Sequence, residues 1–249
     1  MEFYKSNAIL RIASVALFFL IWQIASLFIN IELLPSPAEV FLKIIEEAKT
    51  NELFFHTFIT LKRVFISFFI AMFIGTFFGI YMGRNKKLNV FLDDWLVLGL
   101  NVPALVIIIL CYVWFGLNEV AAILAVSLNK IPMVAVIMRE GARSIEKDYV
   151  EVAKFYKINK SKLFFKVIFP QLYPYLLSSA RSGLSLIWKI VLVVELLGRS
   201  NGVGFKLYGF FQFFDISGIL AYTLAFVFLI IIIEFIIVRP FEKKISVWR

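Results

Sequence analysis

Six long runs of apolar residues, separated by short polar segments, organise this chain: roughly Ile12 to Ile29, Val64 to Gly83, Trp95 to Phe115, Val120 to Met138, Leu172 to Leu197 and Ile216 to Val238. A helix rises 1.5 Å per residue, so about 20 apolar residues cross a hydrocarbon core about 30 Å thick. The pattern predicts an all-α, polytopic membrane protein, with residues 1–249 as a single transmembrane domain of six spanning helices. The first run is too long for a signal-peptide core and is not followed by a small-residue cleavage site, so it is expected to persist as a helix. Composition agrees. With 61% hydrophobic and 17% charged residues, a soluble fold would be left with large apolar patches facing water.

The net charge of +9 would suggest nucleic acid in a soluble chain; here its distribution sets orientation instead. With the N-terminus inside, seventeen of the 26 Lys and Arg residues fall in cytoplasmic segments, six fall outside and three lie within spans. That asymmetry predicts an N-in, C-in topology, although Lys62 and Arg63 beside the second span run against it. One cysteine (Cys111) and one histidine (His56) exclude an intrachain disulfide and most cysteine or histidine metal chemistry.

Local signals refine the picture. Leu34-Pro35-Ser36-Pro37-Ala38-Glu39 places Ser at an N-cap, Pro at the first helical position and Glu at the third, a capping box. The helix it starts carries Phe41, Ile44, Ile45 and Ala48 opposite Lys43, Glu46, Glu47 and Lys49, and is expected on the membrane surface or against the bundle. Gly75, Gly79 and Gly83 recur every four residues, a face on which another helix can approach closely. Pro103 and Pro132 should kink the third and fourth spans, or unwind them beside a cavity.

The segment 139–170 differs from every other connection. It holds eight Lys/Arg and four Asp/Glu between two apolar runs and reads as a pair of cytoplasmic helices. On the second helix Leu163, Phe164 and Val167 share a patch while Lys160, Lys162 and Lys166 face elsewhere. An apolar patch rimmed by positive charge suits a partner's groove with acidic edges. A basic segment lying on anionic lipid would explain the lysines, but not Glu151 or the stop at Pro170.

Glu151-Val152-Ala153, then Lys157, then Val167-Ile168-Phe169-Pro170 resembles the cytoplasmic loop of permease subunits of binding-protein-dependent ABC importers. That pattern is Glu-Ala-Ala, three residues, a Gly, nine residues and Ile-x-Leu-Pro. The resemblance runs from Leu33 to Arg249 and is to the nitrate, sulfonate and taurine type. It includes Leu34-Pro35-Ser36-Pro37, Trp114-Phe115-Gly116, Arg143-Ser144-Ile145, Trp188 with Glu195-Leu196-Leu197-Gly198, Gly202-Val203-Gly204 and Val247-Trp248-Arg249. It implies an inner-membrane pore subunit without catalytic residues of its own. Separate ATP-binding subunits would receive the loop, with a second copy of the chain and an extracytoplasmic solute-binding protein completing the importer. No cofactor, metal or nucleic acid is expected, and membrane lipid surrounds the bundle. Two departures stand out: Lys157 replaces glycine at the turn between the loop helices, where a positive φ disfavours a residue with a Cβ, and Val152 replaces Ala. Asn159 can cap the second loop helix.

Ionisable residues inside spans line pathways or pair within the bundle. Arg181, Trp188 and Glu195, with Ser185 between, share one stripe of the fifth helix, and Lys189 lies at its edge. Lys130 sits deep in the fourth. Lys130, Ser185, Trp188, Lys189 and Glu195 are candidates for a translocation path favouring a small anion or polar solute; the competing reading pairs Glu195 with a neighbouring lysine. No G-x-x-x-x-G-K-[ST] phosphate loop occurs, so nucleotide energy must come from another polypeptide. The alternative, an ATP-independent secondary carrier or channel, would favour internal inverted repeats, and none is visible.

Overall fold

A computed structural model describes residues 2–29 and 33–238. Among these residues the chain is all-helical, with no strand. The positives at Arg239, Lys243, Lys244 and Arg249 and the closing Val247-Trp248-Arg249 motif lie outside the described residues.

The first helix, α1 (Glu2–Phe28), meets the rest chiefly through α2 (Pro37–Lys49), where the Trp22 indole N–H donates to the Pro35 carbonyl at 3.0 Å. The predicted capping box starts α2: Ser36 Oγ accepts from the Glu39 N–H at 3.3 Å and the Glu39 carboxylate accepts from the Ser36 N–H at 2.7 Å. This helix packs against α11 (Ile216–Ile233) with Val40 fully buried, and Tyr222 of α11 donates to Glu47 at 2.9 Å.

The centre of the bundle is the pair α3 (Glu52–Arg84) and α6 (Glu119–Arg143), which share the most extensive helix contact in the molecule. The reason is the glycine face of α3. A Cβ on Gly75 would lie 2.6 Å from Val134 Cβ, on Gly79 2.5 Å from the Ala135 carbonyl oxygen, and on Gly83 2.6 Å from Ala142 Cβ. Only hydrogen at these three positions lets the two backbones come this close. Opposite that face, Phe69, Phe73 and Phe77 point away from the bundle, the arrangement expected of a lipid-facing stripe.

Two expected spans take a different form. The second begins a full three turns earlier than its apolar run, because Glu52 to Arg63 continue the same helix. The third is not one straight helix: α4 (Lys86–Asn101) and α5 (Ala104–Phe115) meet at 97° around Pro103. Proline lacks an N–H and biases the preceding residue toward extended backbone, and Val102 is extended at φ −67°, ψ 123°. By contrast, α6 runs through Pro132 as one helix.

Among the described residues three helices are long and apolar enough to cross a membrane, Glu52–Arg84, Glu119–Arg143 and Ile216–Ile236, or four if the bent α4–α5 pair counts as one span. The long α9 (Phe169–Gly198) carries Arg181, Lys189 and Glu195, and Ala13–Phe28 is a shorter apolar helix; neither enters that count. Between α6 and α9 lie two short elements, α7 (Lys147–Phe155) and α8 (Lys160–Leu163), and a π turn at Phe164–Ile168. After α9 comes α10 (Val203–Gln212), a helix that the apolar pattern does not single out. A second π turn, Glu234–Val238, extends α11.

Candidate functional site

The segment between α6 and α9 is a helix pair held at its base. The Glu146 N–H donates to Gln171 Oε1 at 2.9 Å, tying the start of α7 to the start of α9. Ala153 is buried, whereas Glu151 and Val152 face outward. At Lys157 the backbone turns left-handed, φ 51°. The Ile158 N–H bonds the Ala153 carbonyl at 3.0 Å and the Lys157 N–H bonds the Lys154 carbonyl at 2.9 Å, the two bonds of a Schellman cap. The glycine-type turn is therefore kept, with a lysine in a conformation that costs a Cβ-bearing residue about 1–2 kcal/mol. Asn159 caps the next helix, its side chain accepting from the Ser161 N–H at 3.2 Å.

Leu163 packs against a core of Val134, Met138, Ala142, Ile168 and Leu172, and Val167 is half-buried. Of the three residues expected to form the outward patch, Phe164 is the one that stays exposed. With it, Tyr149, Val152, Phe155, Tyr156, Ile158 and Phe165 face out from this pair, Phe155 and Tyr156 the most. Sequence reasoning missed Phe155, Tyr156 and Phe165; their signal is aromatic residues among the charges of a short helix pair. Lys160, Lys162 and Lys166 are exposed beside them.

At the other end of the bundle is a buried polar cluster. Arg63, 2% exposed, places both edges of its guanidinium against carboxylates. Its Nε and Nη2 donate to Glu119 at 2.9 and 2.8 Å, its Nη1 donates to Glu195 at 2.8 Å, and the Asn201 carbonyl and side chain take two more bonds. Arg199 adds an ion pair to Glu119 at 3.2 Å. Arg63 is thus neutralised by two carboxylates. The partner of Glu195 is this arginine, not a lysine.

The same cluster holds the start of α10. Its leading N–H groups have no partner within the helix, and three side chains supply them. Gly202 N–H donates to His56 Nδ1 at 2.9 Å, Val203 N–H to Thr60 Oγ1 at 2.8 Å and Gly204 N–H to Glu195 Oε2 at 2.9 Å. A carboxylate at a helix N-terminus is also favoured by the helix dipole. Gly202 adopts φ 110°, and a Cβ there would strike the Glu195 carboxylate. The Gly-Val-Gly motif is accounted for by this close seating.

The candidate translocation residues separate into two sets. Ser185, Trp188 and Lys189 line a groove of about 290 Å³ between α9, α10 and α11, walled mainly by apolar side chains such as Phe226 and Ile230. Glu195 lies in the polar cluster. Lys130 is buried between α3, α6 and α9, with its ammonium 2.6 Å from Met133 Sδ and 3.4 Å from the Ser182 carbonyl; among the described residues no carboxylate reaches it. Arg181 pairs with Glu234 of α11 at 3.4 Å.

The family model for binding-protein-dependent transport system inner membrane components matches residues 71–247. The chain is 29% identical over 231 residues to a permease protein assigned to aliphatic sulfonate transport in Bacillus subtilis (strain 168), covering 92% of this chain and 83% of that one. It is 33% identical over 187 residues to the corresponding protein of Escherichia coli (strain K12), covering 74% and 71%. It is 29% identical over 220 residues to the bicarbonate transport system permease protein of Synechococcus elongatus (strain ATCC 33912 / PCC 7942 / FACHB-805), covering 82% and 77%. In fold, it matches a chain from inward-facing conformations of the MetNI methionine ABC transporter with a TM-score of 0.67 at 17% identity, covering 81% of this chain and 98% of that one.

Proposed function

The chain belongs to the family of binding-protein-dependent transport system inner membrane components, a multi-pass permease subunit of an ABC importer, and from that premise we propose that it passes a small polar or anionic solute of the nitrate, sulfonate and taurine class into the cell. Six spans would serve this role, formed by α1, α3, the bent α4–α5 pair, α6, α9 and α11, with both chain ends inside. The charge asymmetry of the connecting segments supports that orientation.

The observation that carries the mechanism is the exposed helix pair at 147–168. Val152, Phe155, Tyr156 and Phe165 are open, lysines rim them, and the base of the pair is bonded to the start of α9. An apolar face with a charged border suits a groove on a separate ATP-binding subunit, and the connection to α9 and α6 would pass that subunit's movement into the bundle. Two copies of this chain, two ATP-binding subunits and an extracytoplasmic binding protein would make up the importer. ATP-driven closure would move the loops, and the paired bundles would rock between outward and inward openings. This chain contributes pathway and handle, with no hydrolytic chemistry of its own.

The test is Glu151→Lys in cells that also express the ATP-binding subunit. The variant is expected to insert at wild-type levels but lose copurification with the ATPase and lose uptake. Full-rate uptake by the variant would refute the coupling role. Access of an impermeant label to Phe155→Cys from the extracytoplasmic face of intact cells would refute the orientation.

A further inference from the structure

We propose that the groove between α9, α10 and α11 is a solute site within the permease itself, reading an organic oxyanion that carries a short apolar body, with Lys189 taking the anionic head. The proposal rests on the permease reading above and specifies its substrate class.

Three observations support it. First, Lys189 is exposed on α9, a helix that the permease reading takes across the bilayer, nine residues before its end, or about 14 Å along the axis. Among the described residues it has neither an ion-pair nor a hydrogen-bond partner. A charge at such depth belongs in a solvated cavity or against a counter-charge, not against acyl chains. Second, the hydroxyl and carboxylate groups on the wall are already engaged. The Ser185 hydroxyl donates to the Ser182 carbonyl at 3.1 Å, the Thr223 hydroxyl to the Ile219 carbonyl at 2.7 Å, and Glu234 is held by Arg181 at 3.4 Å. Lys189 is the charge left open to a ligand, while the two hydroxyl oxygens keep lone pairs free to accept. Third, the rest of the wall is apolar, including Trp188 and Phe226.

These features discriminate among anions. Nitrate or bicarbonate would exchange its hydration for one ammonium and a hydrocarbon wall, a poor trade. An alkanesulfonate or comparable carboxylate places its head at Lys189 and its chain along Trp188 and Phe226, gaining apolar burial with each methylene. The volume of about 290 Å³ lies at the small end of ligand cavities. A phospholipid is disfavoured as the occupant because its headgroup would have to sink about 14 Å below the end of α9 to meet Lys189.

The experiment uses the permease–ATPase complex in phosphatidylcholine nanodiscs without the binding protein, titrated with methane-, ethane- and butanesulfonate and with nitrate. Butanesulfonate is expected to bind saturably, with affinity rising about fourfold per methylene. Binding should weaken about tenfold or more in Lys189→Met and return in Lys189→Arg. Equal binding by Lys189→Met, an affinity flat with chain length, or equal competition by nitrate would overturn the proposal. Displacement of butanesulfonate by phosphatidylglycerol, at unchanged salt, would identify a lipid site and overturn it as well. If these failures occur while the wild-type complex copurifies and drives ATP-dependent uptake, the groove is wrong and the permease reading stands; loss of copurification by the wild type would sink that reading instead.

Discussion

Replacing Arg63 by methionine should be the most damaging single substitution at the end of the bundle opposite the α7–α8 helix pair. The guanidinium makes five hydrogen bonds, to Glu119, Glu195 and Asn201, and methionine fills much of the volume while removing all of them. Glu119 is partly exposed and keeps Arg199, so its loss is small. Glu195 has no exposed surface and retains only Thr60 and the Gly204 N–H. Removing one partner of a buried charge pair costs about 3–5 kcal/mol, because the other charge remains desolvated. Lysine in its place keeps a charge but cannot bridge two carboxylates and an amide; Arg63→Lys should lose about 1–3 kcal/mol. In Arg63→Met/Glu195→Gln the stranded charge is gone, so the double variant should recover about 1–3 kcal/mol relative to the sum of the singles. Reversible unfolding in mixed dodecyl maltoside and SDS micelles, followed by circular dichroism, measures the wild type, the single variants Arg63→Met, Arg63→Lys and Glu195→Gln, and the double variant. A loss under about 1 kcal/mol for Arg63→Met, or additivity in the cycle, would show that the cluster does not hold α10.

Four further outcomes follow from the geometry. Lys157→Gly should stabilise the loop turn by about 0.5–1.5 kcal/mol, since glycine accepts φ 51° without a Cβ penalty; slower amide exchange at Ile158 checks it. Gly79→Ala should cost about 1–3 kcal/mol, because its Cβ meets a backbone carbonyl that cannot rotate away; unfolding in the same micelles measures the loss. Lys130→Met should be neutral or stabilising by about 1–3 kcal/mol, as it removes a buried charge that has no carboxylate partner, and a destabilised variant would contradict that environment. Tyr222→Phe, which removes the bond to Glu47, should cost about 0.5–1.5 kcal/mol, measurable as a lower unfolding midpoint.

Much of the architecture was legible in the chain because its signals are local. The capping box of α2, the four-residue glycine spacing of α3, the break at Pro103 and the cap at Asn159 each depend on neighbours within a turn or two, and the structure has all four. Arg63 was legible only as a misplaced positive charge, because its partners Glu119 and Glu195 lie 56 and 132 positions away. The roles of His56 and Thr60 were hidden for the same reason; both meet N–H groups more than 140 positions distant. Helix α10 escaped notice because its 10 residues are too few to span and too apolar to look like a loop. In the loop pair, periodicity alone assigned Leu163 and Val167 to the outward face. Leu163 instead packs against the core formed with α6 and α9, and within the π turn at Phe164–Ile168, which adds a residue to the turn, Val167 is half-buried while Phe165 faces out.

The three glycines of α3 also bear on how the molecule can move. At these positions the Cβ atoms of Val134, Met138 and Ala142 and the Ala135 carbonyl sit directly on α3, leaving no long side chain between the helices to take up sliding, so α3 and α6 are expected to travel as a single strut. Opening and closing of a pathway is therefore expected on the far side of the bundle, where a groove lies between α9 and α11 and the links across it include the half-exposed ion pair of Arg181 with Glu234 and the ring contact of Trp188 with Phe226.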